Sequence, residues 1–94
     1  MRNIRIGTQD VVVEFVGMDS GEFGTFNAWP SPVIRVATGI PVEAQRLTLL
    51  HEILHAISEL YGLDLRESQV RALEQGLGQV MTEPDVWEFI GGRL

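Results

Sequence analysis

The segment Thr48-Leu49-Leu50-His51-Glu52-Ile53-Leu54-His55-Ala56-Ile57 carries both histidines of the 94-residue chain in the middle of an apolar stretch. Four residues are just over one helical turn, so His51 and His55 project from the same side of a helix, one above the other. Two neutral nitrogen ligands at one point suit a zinc ion. Glu52 lies about a quarter turn round the helix, where its carboxylate can reach a water molecule on such an ion. The segment therefore predicts a helix with two zinc ligands and a general base.

Outward from this segment, the apolar pattern predicts a helix from about Pro41 to Tyr61, closed by Gly62 as its C-cap. Its predicted apolar stripe consists of Leu47, Leu50, Leu54 and Ile57, and it is widened by Leu49, Ile53 and Leu60. So little polar surface remains that the helix is expected to be buried. Buried imidazoles need partners, so the alternative interpretation of the histidines is a hydrogen-bonded pair without a metal ion.

The segment before this helix has the period of β-strands. Val11, Val13 and Phe15 alternate with residues of the opposite face. Glycines together with Asp19 and Ser20 predict a turn, and two further strands are expected at Thr25 to Trp29 and Val33 to Val36. A small antiparallel sheet in the N-terminal half is the natural interpretation.

Two helices are predicted after Gly62. Asp64 and Glu67 have the spacing of a capping box, and the helix they open carries a core face that ends near Met81. The residues of that face are Val70, Leu73, Leu77 and Val80. Thr82 is predicted to cap a last short helix, Glu83 to Ile90, which would bring Trp87 and Phe89 back onto the body. The fold class is therefore expected to be α+β, as one domain spanning residues 1–94.

Composition narrows the classes of function. The chain has seven arginines, no lysine and thirteen acidic residues, for a formal charge of −6. Without a basic stripe, nucleic acid and anionic membranes are not expected partners. Cysteine is absent, so a zinc site must use histidine and carboxylate. No signal peptide and no apolar stretch of bilayer length is visible, and we expect a cytoplasmic protein.

A catalytic zinc site needs a third protein ligand, and only carboxylates remain to supply it. The candidates are Glu67 and Glu74 on the following helix, which share a face and differ by about 10 Å along it. A tight antiparallel hairpin about Gly62 would bring Glu74 level with the histidines, and geometry slightly prefers it. A looser loop or an angled crossing would bring Glu67 there instead. Glu59 lies a further turn along the first helix and is the weakest candidate.

The segment from Thr48 to Ile57 resembles the active-site helix of the gluzincin peptidases, which carry the HExxH motif. The chain is more closely similar to small phage-associated metallopeptidases related to the ImmA/IrrE type of metallo-endopeptidase. That resemblance covers most of Leu47 to Met81 and includes the segment from Gly62 to Leu77. It implies a minimal zincin-like fold and a Zn²⁺ cofactor held by His51, His55 and Glu67. It also implies hydrolysis of a peptide or protein substrate.

Under this hypothesis Glu52 accepts the proton of the attacking water as general base. An oxyanion would be stabilised by Tyr61 or by an arginine such as Arg71. An edge strand beside the active helix would hold the substrate, and Val33 to Val36 is the candidate strand. Two other hypotheses remain open, namely a non-catalytic, zinc-stabilised protein-interaction module and a zinc hydrolase that acts on a non-peptide substrate.

Overall fold

The computed structural model describes residues 2–18 and 21–92 and has an α+β fold. The strands are β1 (Arg2–Ile6), β2 (Gln9–Val16), β3 (Gly24–Asn27) and β4 (Val33–Ala37). The helices are α1 (Val42–Tyr61), α2 (Glu67–Val80) and α3 (Pro84–Ile90). The α+β prediction is confirmed, with the sheet in the N-terminal half followed by the helices. The turn predicted at Asp19 and Ser20 lies outside the described residues.

The sheet is mixed, with the strand order β1-β2-β4-β3. The pairs β1–β2 and β3–β4 are antiparallel, whereas β2 and β4 are parallel. The prediction of a purely antiparallel sheet was therefore wrong. The reason is that β4 presents Ile34 and Val36, both fully buried, and takes a central position. The short strand β3 contains a glycine and occupies the edge.

One face of the sheet packs against α1, and this contact forms the core. The sheet contributes the buried residues Ile6, Val11, Val13, Ile34 and Val36. The helix contributes Leu49, Ile53, Ala56, Ile57 and Leu60. Leu47, which was predicted to belong to the core stripe, is 45% exposed. Leu54 is buried and Ile57 packs against the core, as predicted. Leu47 departs from the prediction because α1 packs on two sides, against the sheet and against α2, and periodicity does not separate the two.

The C-terminal helices differ from the prediction in detail. The Gly62 C-cap is confirmed by its left-handed conformation, with φ of 66°. The Asp64–Glu67 capping box is wrong, because Asp64 itself is left-handed and α2 begins after Arg66, whose backbone N–H donates to Gln69 Oε1 at 2.8 Å. Glu67 therefore does not take part in capping α2.

Helix α3 lies entirely exposed. Thr82 does not cap it, because its hydroxyl donates back to the carbonyl of Gln79 at 2.6 Å. The prediction that Trp87 and Phe89 return to the body is also wrong, since they are 40% and 72% exposed. Pro84 at the first helical position starts α3 without a side-chain cap. None of the described helices is long and apolar enough to cross a bilayer.

Candidate metal centre

The two histidines lie on the side of α1 that faces α2. Their Nε2 atoms are 3.1 Å apart, and the rings meet edge to face with centroids separated by 4.7 Å. The side chain of His51 is 20% exposed and that of His55 is 30% exposed. The four-residue spacing on a regular helix is what brings these two nitrogens together, as the sequence predicts.

Glu67, the first residue of α2, completes a cluster with both imidazoles. Its Oε1 lies 2.9 Å from Nε2 of His51, and its Oε2 lies 3.1 Å from Nε2 of His55. One ligand atom from each of the three residues lies within 4.8 Å of the others. This His-His-Glu group could hold a metal ion. Glu59, the weakest candidate of the sequence, is not part of the group.

Glu74 contacts the same cluster from the opposite side of the His51 ring. Its Oε1 lies 2.7 Å from Nδ1 of His51. The two carboxylates that the sequence offered as alternatives therefore both reach His51, each at a different ring nitrogen. A carboxylate on Nδ1 is the usual partner that orients a metal-binding histidine.

The hydrogen-bonding chemistry of the cluster fits a metal ion. When Glu74 is ionised it accepts a hydrogen bond from Nδ1 of His51, which leaves a lone pair on Nε2 of the neutral ring. That lone pair faces Oε1 of Glu67 at 2.9 Å and Nε2 of His55 at 3.1 Å. These contacts are favourable when a hydrogen or a metal cation lies between the facing nitrogen and oxygen atoms. Imidazole nitrogens and a carboxylate oxygen are together a donor set typical of zinc.

Glu52 is the buried carboxylate of the site, with 8% of its surface exposed. Burial raises its pKa above the usual value of 4.5, and the nearby imidazoles of His51 and His55 act in the opposite direction. Its Cγ lies close to β3, since a Cβ atom at Gly24 would be 3.3 Å from it, and Glu52 is not a member of the three-residue cluster. The residue is therefore held beside the candidate metal position, as its place between the histidines predicts.

Gly24 is a residue of the site that the sequence analysis counted only among the glycines of the predicted turn, whereas the structure places it in β3. A Cβ atom there would lie 2.5 Å from Thr48 Cγ2 and 2.9 Å from the carbonyl oxygen of Arg35. Only glycine allows β3 to approach α1 this closely. The glycine within the strand Gly24–Asn27 was the one sequence signal that could have revealed the contact.

Two open grooves meet at Glu52. The Phe23 groove, of about 460 Å³, is lined by Phe23 and Gly24, by one side of α1 between residues 44 and 52, and by α2 residues 71, 74 and 75. The Trp29 groove, of about 630 Å³, is lined by residues 25–29 and by Glu52, His55 and Glu59. Strand β3 runs past both grooves.

The position of β3 corrects the prediction that Val33 to Val36 is the edge strand beside the active helix. Those residues belong to β4, which is paired on both sides, whereas β3 has one free edge within the sheet. The β-branched residues of β4 suggested a strand correctly, but they mark an interior position. The shorter and more polar β3 is the strand that lies at the edge.

The two candidates for oxyanion stabilisation lie in different places. Arg71 lines the Phe23 groove, and its Nε is 3.6 Å from Oε1 of Glu67. Tyr61 packs over the β1–β2 turn, where its hydroxyl would lie 3.1 Å from a Cβ atom at Gly7, and it lines neither groove. Arg71 therefore shares a groove with Glu52, and Tyr61 does not.

Comparisons with protein-family models, with curated proteins and with solved structures found no match to this chain. The function must therefore be inferred from the geometry of the site.

Proposed function

We propose that this protein is a zinc-dependent peptidase that cleaves peptide bonds, with Glu52 as its general base. The observation that supports the proposal best is the convergence of three potential metal ligands, His51, His55 and Glu67, beside the buried carboxylate of Glu52. A site that holds a metal ion only for stability needs no carboxylate of this kind beside its ligands. The resemblance of the segment from Leu47 to Met81 to the gluzincin and ImmA/IrrE-type peptidases also supports the proposal.

In this proposal His51, His55 and Glu67 are the zinc ligands, and Glu74 orients His51 through Nδ1. Two histidines and one carboxylate are the ligand set of catalytic rather than structural zinc sites. When bound, zinc supplies Lewis acidity, which activates water and polarises a carbonyl group. Glu67 is the chosen third ligand because its two oxygens face both Nε2 atoms, whereas Glu74 faces the other nitrogen of one ring.

Glu52 transfers the proton in this mechanism. Its carboxylate takes a proton from the attacking water and passes it to the leaving amine, so the same oxygen serves first as base and then as acid. A raised pKa suits the second step, because the protonated form must persist long enough to donate. Arg71, on the Phe23 groove, is the residue placed to donate hydrogen bonds to a negatively charged oxygen.

The free edge of β3 supports a peptide rather than a small molecule as the substrate. An extended peptide can add to such an edge through main-chain hydrogen bonds. Its alternate side chains would then point toward α1, where the Phe23 and Trp29 grooves lie on either side of Glu52. The arrangement thus provides both backbone recognition and side-chain pockets around the general base.

Metal content tests the ligand assignment. Elemental analysis of the wild type is expected to find about one zinc ion per chain. Glu67→Ala should lose the ion, whereas Glu74→Gln should keep the site but weaken zinc affinity about 10- to 100-fold. A wild type without metal after zinc is supplied at neutral pH would refute the proposal. If Glu67→Ala keeps the zinc ion and Glu74→Gln loses it, Glu74 is the third ligand and Glu67 is the orienting carboxylate.

Hydrolysis tests the role of Glu52. With an unfolded protein as substrate, Glu52→Gln should keep its zinc and lose about 100- to 10,000-fold in rate. Glu88→Gln, which removes the same charge on the exposed α3, is the matched control and should keep the rate. If the zinc-loaded wild type cleaves no peptide bond, the non-catalytic interaction module or a non-peptide hydrolase replaces the peptidase.

A further inference from the structure

The two grooves beside Glu52 differ in charge. The Phe23 groove combines the apolar side chains of Phe23 and Leu47 with two carboxylates, from Glu52 and Glu74, and with the guanidinium of Arg71. The Trp29 groove contains two carboxylates, from Glu52 and Glu59, and no arginine. The residues that line the two grooves therefore favour different substrate side chains on the two sides of Glu52.

Trp29 and Glu59 are both available to a ligand. The indole of Trp29 is 85% exposed although it lies at the rim of a groove. Glu59 is exposed, and among residues 2–18 and 21–92 no arginine or histidine lies within salt-bridge distance of it. An aromatic face and an unpaired carboxylate in one groove are the two elements that bind an organic cation, through cation–π attraction and a charge-assisted hydrogen bond.

We propose that the Trp29 groove is the specificity site of the peptidase and that it accepts an arginine or lysine side chain of the substrate. This inference rests on the proposed function and adds the substrate class to it. Arginine is the better fit, because its planar guanidinium can stack on the indole of Trp29 while it forms a forked pair with the carboxylate of Glu59. The general acidity of the chain, with a formal charge of −6, favours the approach of such cationic peptides.

The position of Glu59 relates the cation to the bond that is cleaved. Glu59 is two helical turns beyond Glu52, or about 10 Å along α1, with His55 between them. An extended peptide rises about 3.3 Å per residue, so the cationic residue lies within about three residues of the cleaved bond. Because the Trp29 groove lies on one side of Glu52, the cation must always occupy the same side of that bond.

Quenched peptides made of alanine, serine and leucine test the proposal with zinc-loaded full-length protein. One position carries arginine, citrulline or glutamate, and citrulline keeps the shape of arginine without its charge. We expect kcat/KM for the arginine peptide to exceed that of the citrulline peptide about tenfold, with the glutamate peptide slowest. Glu59→Gln should bring the arginine-to-citrulline ratio close to one, and Glu59→Arg should favour glutamate. Glu88→Gln is the charge-matched control and should keep the ratio.

A binding measurement separates this inference from the peptidase function. In zinc-loaded Glu52→Gln that also carries Trp87→Phe, Trp29 is the only tryptophan, and its fluorescence reports occupancy of the groove. The arginine peptide should bind about tenfold more tightly than the citrulline peptide. Equal affinities, or cleavage on either side of arginine, would overturn the cation site while leaving the peptidase intact. Preferential binding without cleavage by the wild type would support the cation site and refute the peptidase.

Discussion

Helix α1 has two faces that do different things. The face toward the sheet, with Leu49, Ile53 and Ala56, excludes water and contributes to the core. The face toward α2 brings Nε2 of His51 and Nε2 of His55 to 2.9 Å and 3.1 Å from the carboxylate oxygens of Glu67. The first face stabilises the fold by itself, whereas the second could hold a metal ion and would gain stability from binding it. One helix thus combines a face that forms the core with a face that could hold a metal ion.

The largest effect expected from this difference is the dependence of stability on zinc. At a zinc concentration about 1,000 times the dissociation constant, the free energy of unfolding of the wild type should rise by about 4 kcal/mol. His51→Ala removes a ligand from the α2-facing side and should abolish that increment. Urea unfolding with zinc and with a chelator measures both values. An increment that survives in His51→Ala would show that the cluster is not where zinc binds.

Ile53→Ala is the corresponding change on the sheet-facing side. Ile53 packs against the core, so its truncation should lower the free energy of unfolding by about 2–3 kcal/mol with or without zinc. His55→Ala, two positions along the helix, should change the free energy of unfolding of the metal-free protein by less than about 1 kcal/mol, because His55 is partly exposed and makes no core contact. The same urea titrations measure the free energy of unfolding of both variants. If the two variants were equally destabilised without zinc, the two faces of α1 would not differ as described.

The contrast between the two faces also explains which parts of the site were predictable. The four-residue spacing of the histidines is local, and a regular helix converts it directly into a pair of adjacent nitrogens. The partners on α2 depend on how two helices cross, which no local pattern specifies. For that reason helical spacing left Glu67 and Glu74 as alternatives, and the structure shows that each contacts a different nitrogen of His51.

The fold was predictable to a similar extent. Strand and helix periods separate the two halves of the chain, and they give the α+β class. Strand order is a non-local property, so the parallel pairing of β2 with β4 and the edge position of β3 could not be read from alternation. The aromatic residues of α3 were expected to be buried on hydrophobicity alone, yet Phe89 is 72% exposed.

The contact of β3 with the polar side of the site can be tested with a pair of glycines. Gly24→Ala places a methyl group against Thr48 and the Arg35 carbonyl, so it should lower the free energy of unfolding by about 1–2 kcal/mol and reduce hydrolysis by moving β3. Gly76→Ala, in the open interior of α2, is the control and should stabilise the protein by about 0.5–1 kcal/mol. Thermal unfolding and the peptidase assay measure the two effects. If Gly24→Ala changes neither the stability nor the rate of hydrolysis, β3 does not approach α1 this closely.

The smallest effect concerns Glu52 in the metal-free protein. Because burial raises its pKa in the folded state, the fold favours the protonated carboxyl, and this contribution to stability is present below the usual pKa of 4.5. It is lost as the pH rises through the higher folded pKa, so at pH 7 the buried charge opposes folding. Glu52→Gln should therefore be more stable than the wild type at pH 7 in the presence of a chelator.

That difference should shrink to nothing as the pH falls below 4.5, which urea unfolding across the pH range can follow. Glu88→Gln on the exposed α3 is the control and should show no such trend. A wild type that is more stable than Glu52→Gln at pH 7 without metal would mean that the carboxylate has favourable partners in the fold. The expected result would instead show that the carboxylate proposed as general base costs stability in the metal-free fold, which argues against a purely structural role for it.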